Sequence, residues 1–201
     1  MSASFFDVAR RQRAHHEFAS TPVPDDVVAQ VLEYATYAPS AENRQPWVFV
    51  VVRDDAIRAR IAEITERLWT GGARQFSESR LSPELLAEVD RGMLGDAGYR
   101  AAPVVVVICA DLERCLAETV GSSIYPAAQN LLLAAGALGL GSAFTTLVAS
   151  TGAELRDLLG LPEHIAPQVV VPLGYPPRPL GLSRRTPFQD RTHRDRYGTP
   201  W

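Results

Sequence analysis

Four clusters of polar residues interrupt an otherwise apolar pattern, and each has chemistry within reach. Residues 10–18, "RRQRAHHEF", gather three arginines and two histidines. The planar arginine fork donates two hydrogen bonds at once to a phosphate or carboxylate, so an anion site is one reading and a solvated helix face the other. Residues 38–47, "APSAENRQPW", set Ser40, Asn43 and Gln45 between two prolines at the mouth of the apolar run "VFVVV". A helix stopped by Pro39 and a turn held by Asn43 would explain part of this. So many hydrogen-bonding side chains at the start of a buried strand also suit a polar ligand. In "LGLGSAFTT", residues 138–146, Gly139 and Gly141 permit a tight turn and a close backbone approach. No helix is expected next, so this is no dinucleotide fingerprint. "RRTPF", residues 184–188, is either a basic tail or a second anion contact. No nucleophile sits beside a paired base, which argues against a hydrolase triad. The acidic residues are scattered, and Cys109 and Cys115 are the only cysteines, so neither a metal cluster nor a disulfide framework is expected.

Several elements must position these clusters. At 201 residues, one domain spanning 1–201 is expected, with residues 176–201 as a Pro- and Arg-rich arm. A hydrophobic fraction of 46% against 21% charged residues supports a true core rather than disorder. The net charge of −3 argues against a general nucleic-acid or anionic-membrane binder. The N-terminus lacks the apolar stretch of a signal peptide and no segment reads as a membrane span, so a soluble cytoplasmic protein is expected.

Ser4 and Asp7 have capping-box spacing and predict a first helix carrying Arg10 to Arg13. Pro24 suits the first turn of a second helix, with Val27, Val28, Val31, Leu32 and Ala35 as its buried stripe. A strand is predicted over 48–52, then a helix capped by Asp54 with Ile57, Ile61, Ile64 and Leu68 inward. Residues 70–83 read as a loop ending in a helix start at Ser82 and Pro83. "PVVVVICA" and "PQVVVPLGY" read as buried strands, "SAFTTLV" as another, and "PAAQNLLLAAGALGLG" as a central helix apolar nearly all round. Thr151 and Glu154 form a second capping-box pattern. Strands separated by long helices predict an α+β or α/β layered domain.

Taken in order, the basic N-terminal segment with "PVP" after it, "APSAENRQPWVFVVV", "AAQNLLLAAGALGLGS", "PLGYP" and "RRTPF" resemble the nitroreductase-like family of FMN enzymes over nearly the whole chain. The spacing P-S-x-x-N-x-Q-P-W is the most specific part. The resemblance implies an α+β layered sandwich, with a central, mostly antiparallel sheet flanked by helices. It also implies a homodimer with FMN at the subunit interface. Carried onto this chain, it gives Arg11, Arg13 and His15 or His16 to the flavin phosphate and ribityl chain. Pro39, Ser40 and Asn43 would reach a flavin held mostly by the other subunit. The stretch Thr145, Thr146 and Leu147 would bring a backbone N–H near flavin N5, and Arg185 would close on the phosphate. The family's usual R-R-S-x-R is altered here. Counting back from Phe18 puts His16 in the second basic slot, while the spacing of a flavin-degrading branch puts His15 there. Residues 68–98 fall where the family varies its substrate pocket. Trp69, Phe76 and Tyr99 could line that pocket, although packing against helices is the expectation.

The activity implied is transfer of hydride from NAD(P)H to an electron-poor acceptor such as a nitroaromatic, quinone or enone. The alternatives are a specialised flavin oxidase or dehydrogenase acting on a biosynthetic intermediate, and a flavin-sequestering protein without turnover.

Overall fold

A computed structural model of the protein describes residues 4–94, 96, 98–179 and 181–201, with only the backbone described at Ala149. Residues 1–3 of the N-terminal stretch, Gly95 and Ala97 of the variable segment, and Leu180 of the arm lie outside the described residues.

The apolar runs form an antiparallel sheet of β1 (Trp47–Val52), β2 (Val104–Asp111), β3 (Gly141–Ser142) and β4 (Ile165–Gly174), in the spatial order β1-β2-β4-β3. Side chains alternate across a strand. Val104, Val106, Ile108 and Ala110 therefore face α2 (Asp25–Ala35) and α6 (Val120–Ala137). Val105, Val107 and Cys109 face α3 (Asp55–Leu68) and α7 (Gly152–Leu159). Helices cover both sheet faces, so β2 reads as an unbroken apolar run rather than an alternating one. The register between β2 and β4 slips at Ile108 and Cys109, which puts Pro167 beside a bulge, where its missing N–H does least harm.

Several boundaries differ from the sequence reading. Helix α1 is Phe5–Arg11, capped by the Ser4 hydroxyl accepting from the Asp7 N–H at 3.2 Å. It ends before Arg13 because Ala14 pairs alongside Ser142 and the His15 N–H donates to the Ser142 carbonyl at 2.9 Å. The sheet edge takes the chain out of its helix. Pro24 sits at the N-cap of α2 rather than inside its first turn. Val28, Val31 and Ala35 of its stripe are buried, with Val27 and Leu32 partly so. The expected loop at 70–83 is largely helical. A wide turn (Trp69–Ala73), with Gly72 at φ 140°, leads into α4 (Arg74–Glu78). Asp90 holds this segment by accepting from Trp69 Nε1 at 2.7 Å and from Arg74 Nε at 3.0 Å. Those bonds come from α5 (Pro83–Met93), which begins at the Ser82 cap as expected. No local pattern could reveal them.

Helix α6 begins six residues before Pro126 and carries that proline inside. Seven buried residues, from Ser123 to Ala135, outweigh one missing N–H. "SAFTTLV" is not a strand beyond Ser142. Thr145 makes one isolated bridge to Val170, and residues 148–151 form a 3-10 turn. Here the Leu147 N–H turns to Thr145 Oγ1 at 3.1 Å, a local side-chain bond that displaces the ladder. Thr151 is no cap. Its hydroxyl donates to the Val148 carbonyl at 2.7 Å, and Glu154 pairs with Arg60 and Arg67 instead. Glycine is favoured at Gly160, where φ 63° ends α7 in the left-handed region. Among the described residues no helix is long and apolar enough to cross a membrane.

Candidate functional site

Because residues 12–16 run extended along β3, neighbouring side chains point to opposite sides. The ring of His15 lies on Gly141, where an added Cβ would stand 2.8 Å from Cγ, and its Nδ1 is 3.1 Å from the Arg13 carbonyl. The ring of His16 faces the other way, onto Gly92 of α5. Burial lowers both imidazole pKa values below 6.5; the Arg13 carbonyl works against this at His15 and Glu88 works against it at His16.

A cleft of about 870 Å³ opens beside this segment. One wall is the segment itself, through Gln12, Arg13, Ala14 and His16. Helix α5 supplies Glu84, Leu85 and Glu88; α6 supplies Gln129 and Leu132, with Phe144 from the loop after β3. The arm closes the far side with Ser183, Arg184 and Arg185. It is tied down where Ser183 Oγ donates to the Gln12 carbonyl at 2.8 Å. The volume lies within the roughly 300–1,000 Å³ of small-molecule sites, and the lining is mostly polar and charged, with Ala14, Leu85, Leu132, Phe144 and Leu182 as its apolar part. Arg13 forms an ion pair with Glu88 at 3.2 Å.

The fold treats the sequence-predicted residues differently. It gathers Arg13, His16 and Arg185, from opposite ends of the chain, in one cleft. Arg11 and His15 instead line a neighbouring cavity of about 240 Å³ with Gly139 and Ser142. Thr145 and Leu147 use their N–H groups internally, the first on the Val170 carbonyl at 3.2 Å and the second on Thr145 Oγ1. That of Thr146 has no partner among the described residues.

Pro39, Ser40 and Asn43 do not line this cleft. Their polar groups serve their own loop: Ser40 Oγ accepts from the Gln45 N–H at 2.9 Å, and Asn43 Oδ1 accepts from Gln45 Nε2 at 3.2 Å. Glu42, Asn43 and Gln45 have φ of 52°, 55° and 48°, a run of non-glycine residues in the left-handed region. Such conformations cost energy and cluster at ligand contacts and switch regions.

Trp69 and Tyr99 are buried, whereas Phe76 is exposed under the Arg80 guanidinium, 3.6 Å from its ring centre. None of the three lines the cleft. Sequence reasoning missed Gln12, Glu84, Glu88, Gln129, Phe144 and Ser183. The spacing of Glu84 and Glu88, one turn apart on an amphipathic helix, was the available signal. It also missed Asp111, Glu113 and His164, whose ligand atoms lie within 4.8 Å of one another. The group is partly exposed, and clusters of this kind are common at protein surfaces without a metal.

The nitroreductase-family model matches residues 9–175. An NADH dehydrogenase of Thermus thermophilus is 29% identical over 90% of this chain and 91% of its own length. The crystal structure of an iodotyrosine deiodinase bound to FMN and 3-iodo-L-tyrosine superposes with a TM-score of 0.73 at 25% identity, covering 98% of this chain and all (100%) of that one. An NADPH:FMN oxidoreductase from Vibrio harveyi, complexed with NAD+, shares the fold with a TM-score of 0.74 at 21% identity, over 96% of this chain and 77% of that one. The chain belongs to the nitroreductase family of FMN-binding oxidoreductases.

Proposed function

We propose that the protein is a homodimeric oxidoreductase that draws hydride from NAD(P)H and passes it to an electron-poor acceptor such as a nitroaromatic, quinone or enone. FMN would sit at the subunit interface. The observation that carries this reading is the convergence of Arg13, Arg184 and Arg185 on one cleft of about 870 Å³. A flavin phosphate is nearly dianionic, and several guanidinium groups offset the cost of taking it out of water.

The residues present fit FMN in three respects. The basic groups gather beside the N-terminal segment and the arm, while Leu85, Leu132 and Phe144 offer apolar surface to a flat ring. The Thr146 N–H, two residues past Phe144 and outside the cleft lining itself, is left over as a neutral donor. The cleft is also large enough. When bound, FMN supplies the hydride chemistry itself, so no catalytic side chain is required. The chain's task is to hold the phosphate with Arg13 and Arg185, to offer the Thr146 N–H, and to keep water away with Phe144 and Leu132. Residues 1–201 form one FMN-binding domain in this reading, with 176–201 as its arm.

Support for the dimer comes from the surface. Tyr34 and Tyr37 are 53% and 71% exposed at the end of α2, and Tyr125 and Phe144 are 46% and 41% exposed with their rings edge to face. Large aromatic surface of this kind suits a protein contact. The strained loop holding Pro39, Ser40 and Asn43 then serves a flavin in the other subunit.

The deciding experiment is anaerobic mixing of the yellow holoprotein with NADH or NADPH, followed by an acceptor panel that includes 3-iodo-L-tyrosine. Rapid bleaching and reoxidation by one acceptor class support the reading. A protein that binds FMN but is not bleached by either nicotinamide would point to sequestration, and fast reoxidation by air with poor NAD(P)H use would point to an oxidase.

A further inference from the structure

Helix α5 is fastened to the basic segment by one face. Glu88 meets Arg13, Arg91 Nε reaches Glu17 at 2.9 Å, and Gly92 receives the ring of His16. These positions lie three and four residues apart, on one side of a helix. Glu84 and Leu85, one turn earlier, line the cleft together with Glu88. The carboxylate that pairs with Arg13 is therefore itself part of the ligand wall.

The geometry of that pair makes it exchangeable. Both Glu88 oxygens fall on a single nitrogen, Arg13 Nη2, at 3.2 and 3.4 Å. The two-nitrogen fork that gives arginine–carboxylate pairs their strength is not used. Nε and Nη1 of Arg13 have no partner among the described residues. The side chains keep 31% and 25% of their exposure, so solvent screens the pair in part. A phosphate monoester, with three acceptor oxygens and nearly twice the charge, is the better partner.

We propose that Glu88 is an internal competitor for Arg13: it holds the guanidinium in the ligand-free chain and is displaced by the phosphate of the cofactor, so that its charge sets how tightly phosphorylated flavin binds. This rests on the reading of the cleft as the FMN site. Once displaced, Glu88 remains beside the phosphate as a like charge, and both effects weaken binding. Glu88 is then a residue that tunes cofactor retention without taking part in the reaction.

The test is a set of titrations with the apoprotein, using FMN, riboflavin and inorganic phosphate as probes. Glu88→Gln should bind FMN roughly two- to fivefold more tightly than wild type, the scale of a partly screened ion pair. Riboflavin affinity should not change. In an Arg13→Gln background, Glu88→Gln should give a smaller gain for FMN, because only the like-charge repulsion is then left to remove. Glu88→Ala provides a second variant, and far-UV circular dichroism checks folding of each. Unchanged or weaker FMN binding by both Glu88 variants overturns the proposal. So does an equal gain with riboflavin, or a gain that persists undiminished without Arg13. If FMN binds no form of the protein, the cofactor reading fails, and phosphate titration of wild type and Glu88→Gln still decides the competition.

Discussion

The imidazole of His16 lies so close over Gly92 that a Cβ added to that glycine would stand 2.4 Å from Nδ1. Glycine inside a helix costs about 1 kcal/mol relative to alanine. Helix propensity at this position has thus yielded to a contact that only a bare backbone allows. We expect Gly92→Ala to lower stability, because overpacking costs about 1–3 kcal/mol and exceeds the propensity gain. Adding His16→Ala should remove the clash and leave the double variant more stable than Gly92→Ala alone. Urea unfolding of the three proteins measures this. If Gly92→Ala is more stable than wild type, the ring moves aside freely and the contact does not fix it.

The same histidines give stability an acid-side slope. Burial lowers both pKa values in the folded state, and Arg13 adds to this for each ring. The unfolded chain takes up these protons near pH 6.5, and the folded chain only at lower pH. Stability should therefore fall as pH drops from 6.5 through the folded values, and be unaffected by these groups above about 7. His15→Gln and His16→Gln should each flatten the profile of urea midpoints between pH 7.5 and 5. Three parallel profiles would mean that neither ring is held neutral by the fold.

Arg184 and Arg185 both line the cleft, yet we expect them to differ. In the reading proposed above, Arg185, two residues before Pro187, meets the phosphate. A charge-assisted hydrogen bond contributes about 1.5–3 kcal/mol, so Arg185→Ala should weaken FMN on the order of tenfold to a hundredfold. Arg184→Ala should lose less. The arm lies outside both apolar clusters, so the fold should persist in each variant. Fluorescence titration of FMN with the two variants decides the assignment, and equal affinity for wild type and Arg185→Ala would remove it.

What could be read in advance follows from how local each signal is. The strands β2 and β4 and the stripe of α2 were legible because apolar periodicity reports burial directly. The caps at Ser4, Asp54 and Ser82 were legible because a cap is a three-residue affair. The turn at Arg74 was misread as loop because it is held by Asp90, sixteen residues away, together with Trp69. Arg13 left its predicted helix for a similar reason, since the edge it joins belongs to Ser142. At the site, sequence named Arg13, His16 and Arg185 but not the carboxylate that pairs with Arg13. Glu88 looks like any solvated helix residue until the fold brings it to Arg13.

Tyr99 offers a last test, because it links the variable segment to the loop carrying Thr146. Its hydroxyl is buried without a hydrogen-bond partner in acceptable geometry. Burial pushes its pKa up, and the nearby Thr145 hydroxyl opposes this only in part. Two arrangements are physically distinct. If the hydroxyl is truly unpaired, deleting it recovers the cost of burying a polar group, about 1–3 kcal/mol, less a small loss of contact. If it donates to Thr145 Oγ1, deletion loses a bond worth about 1 kcal/mol and leaves Thr145 to serve the Leu147 N–H alone. The geometry favours the first. We therefore expect Tyr99→Phe to match or exceed wild type in stability by about 1 kcal/mol. Tyr99→Ala should lose about 3–5 kcal/mol, because it empties a packed site against Val105, Val107 and Val170. Urea unfolding distinguishes the two arrangements. A Tyr99→Phe protein that is less stable by about 1 kcal/mol, with the loss abolished in a Thr145→Val background, would show that the hydroxyl braces the loop after all.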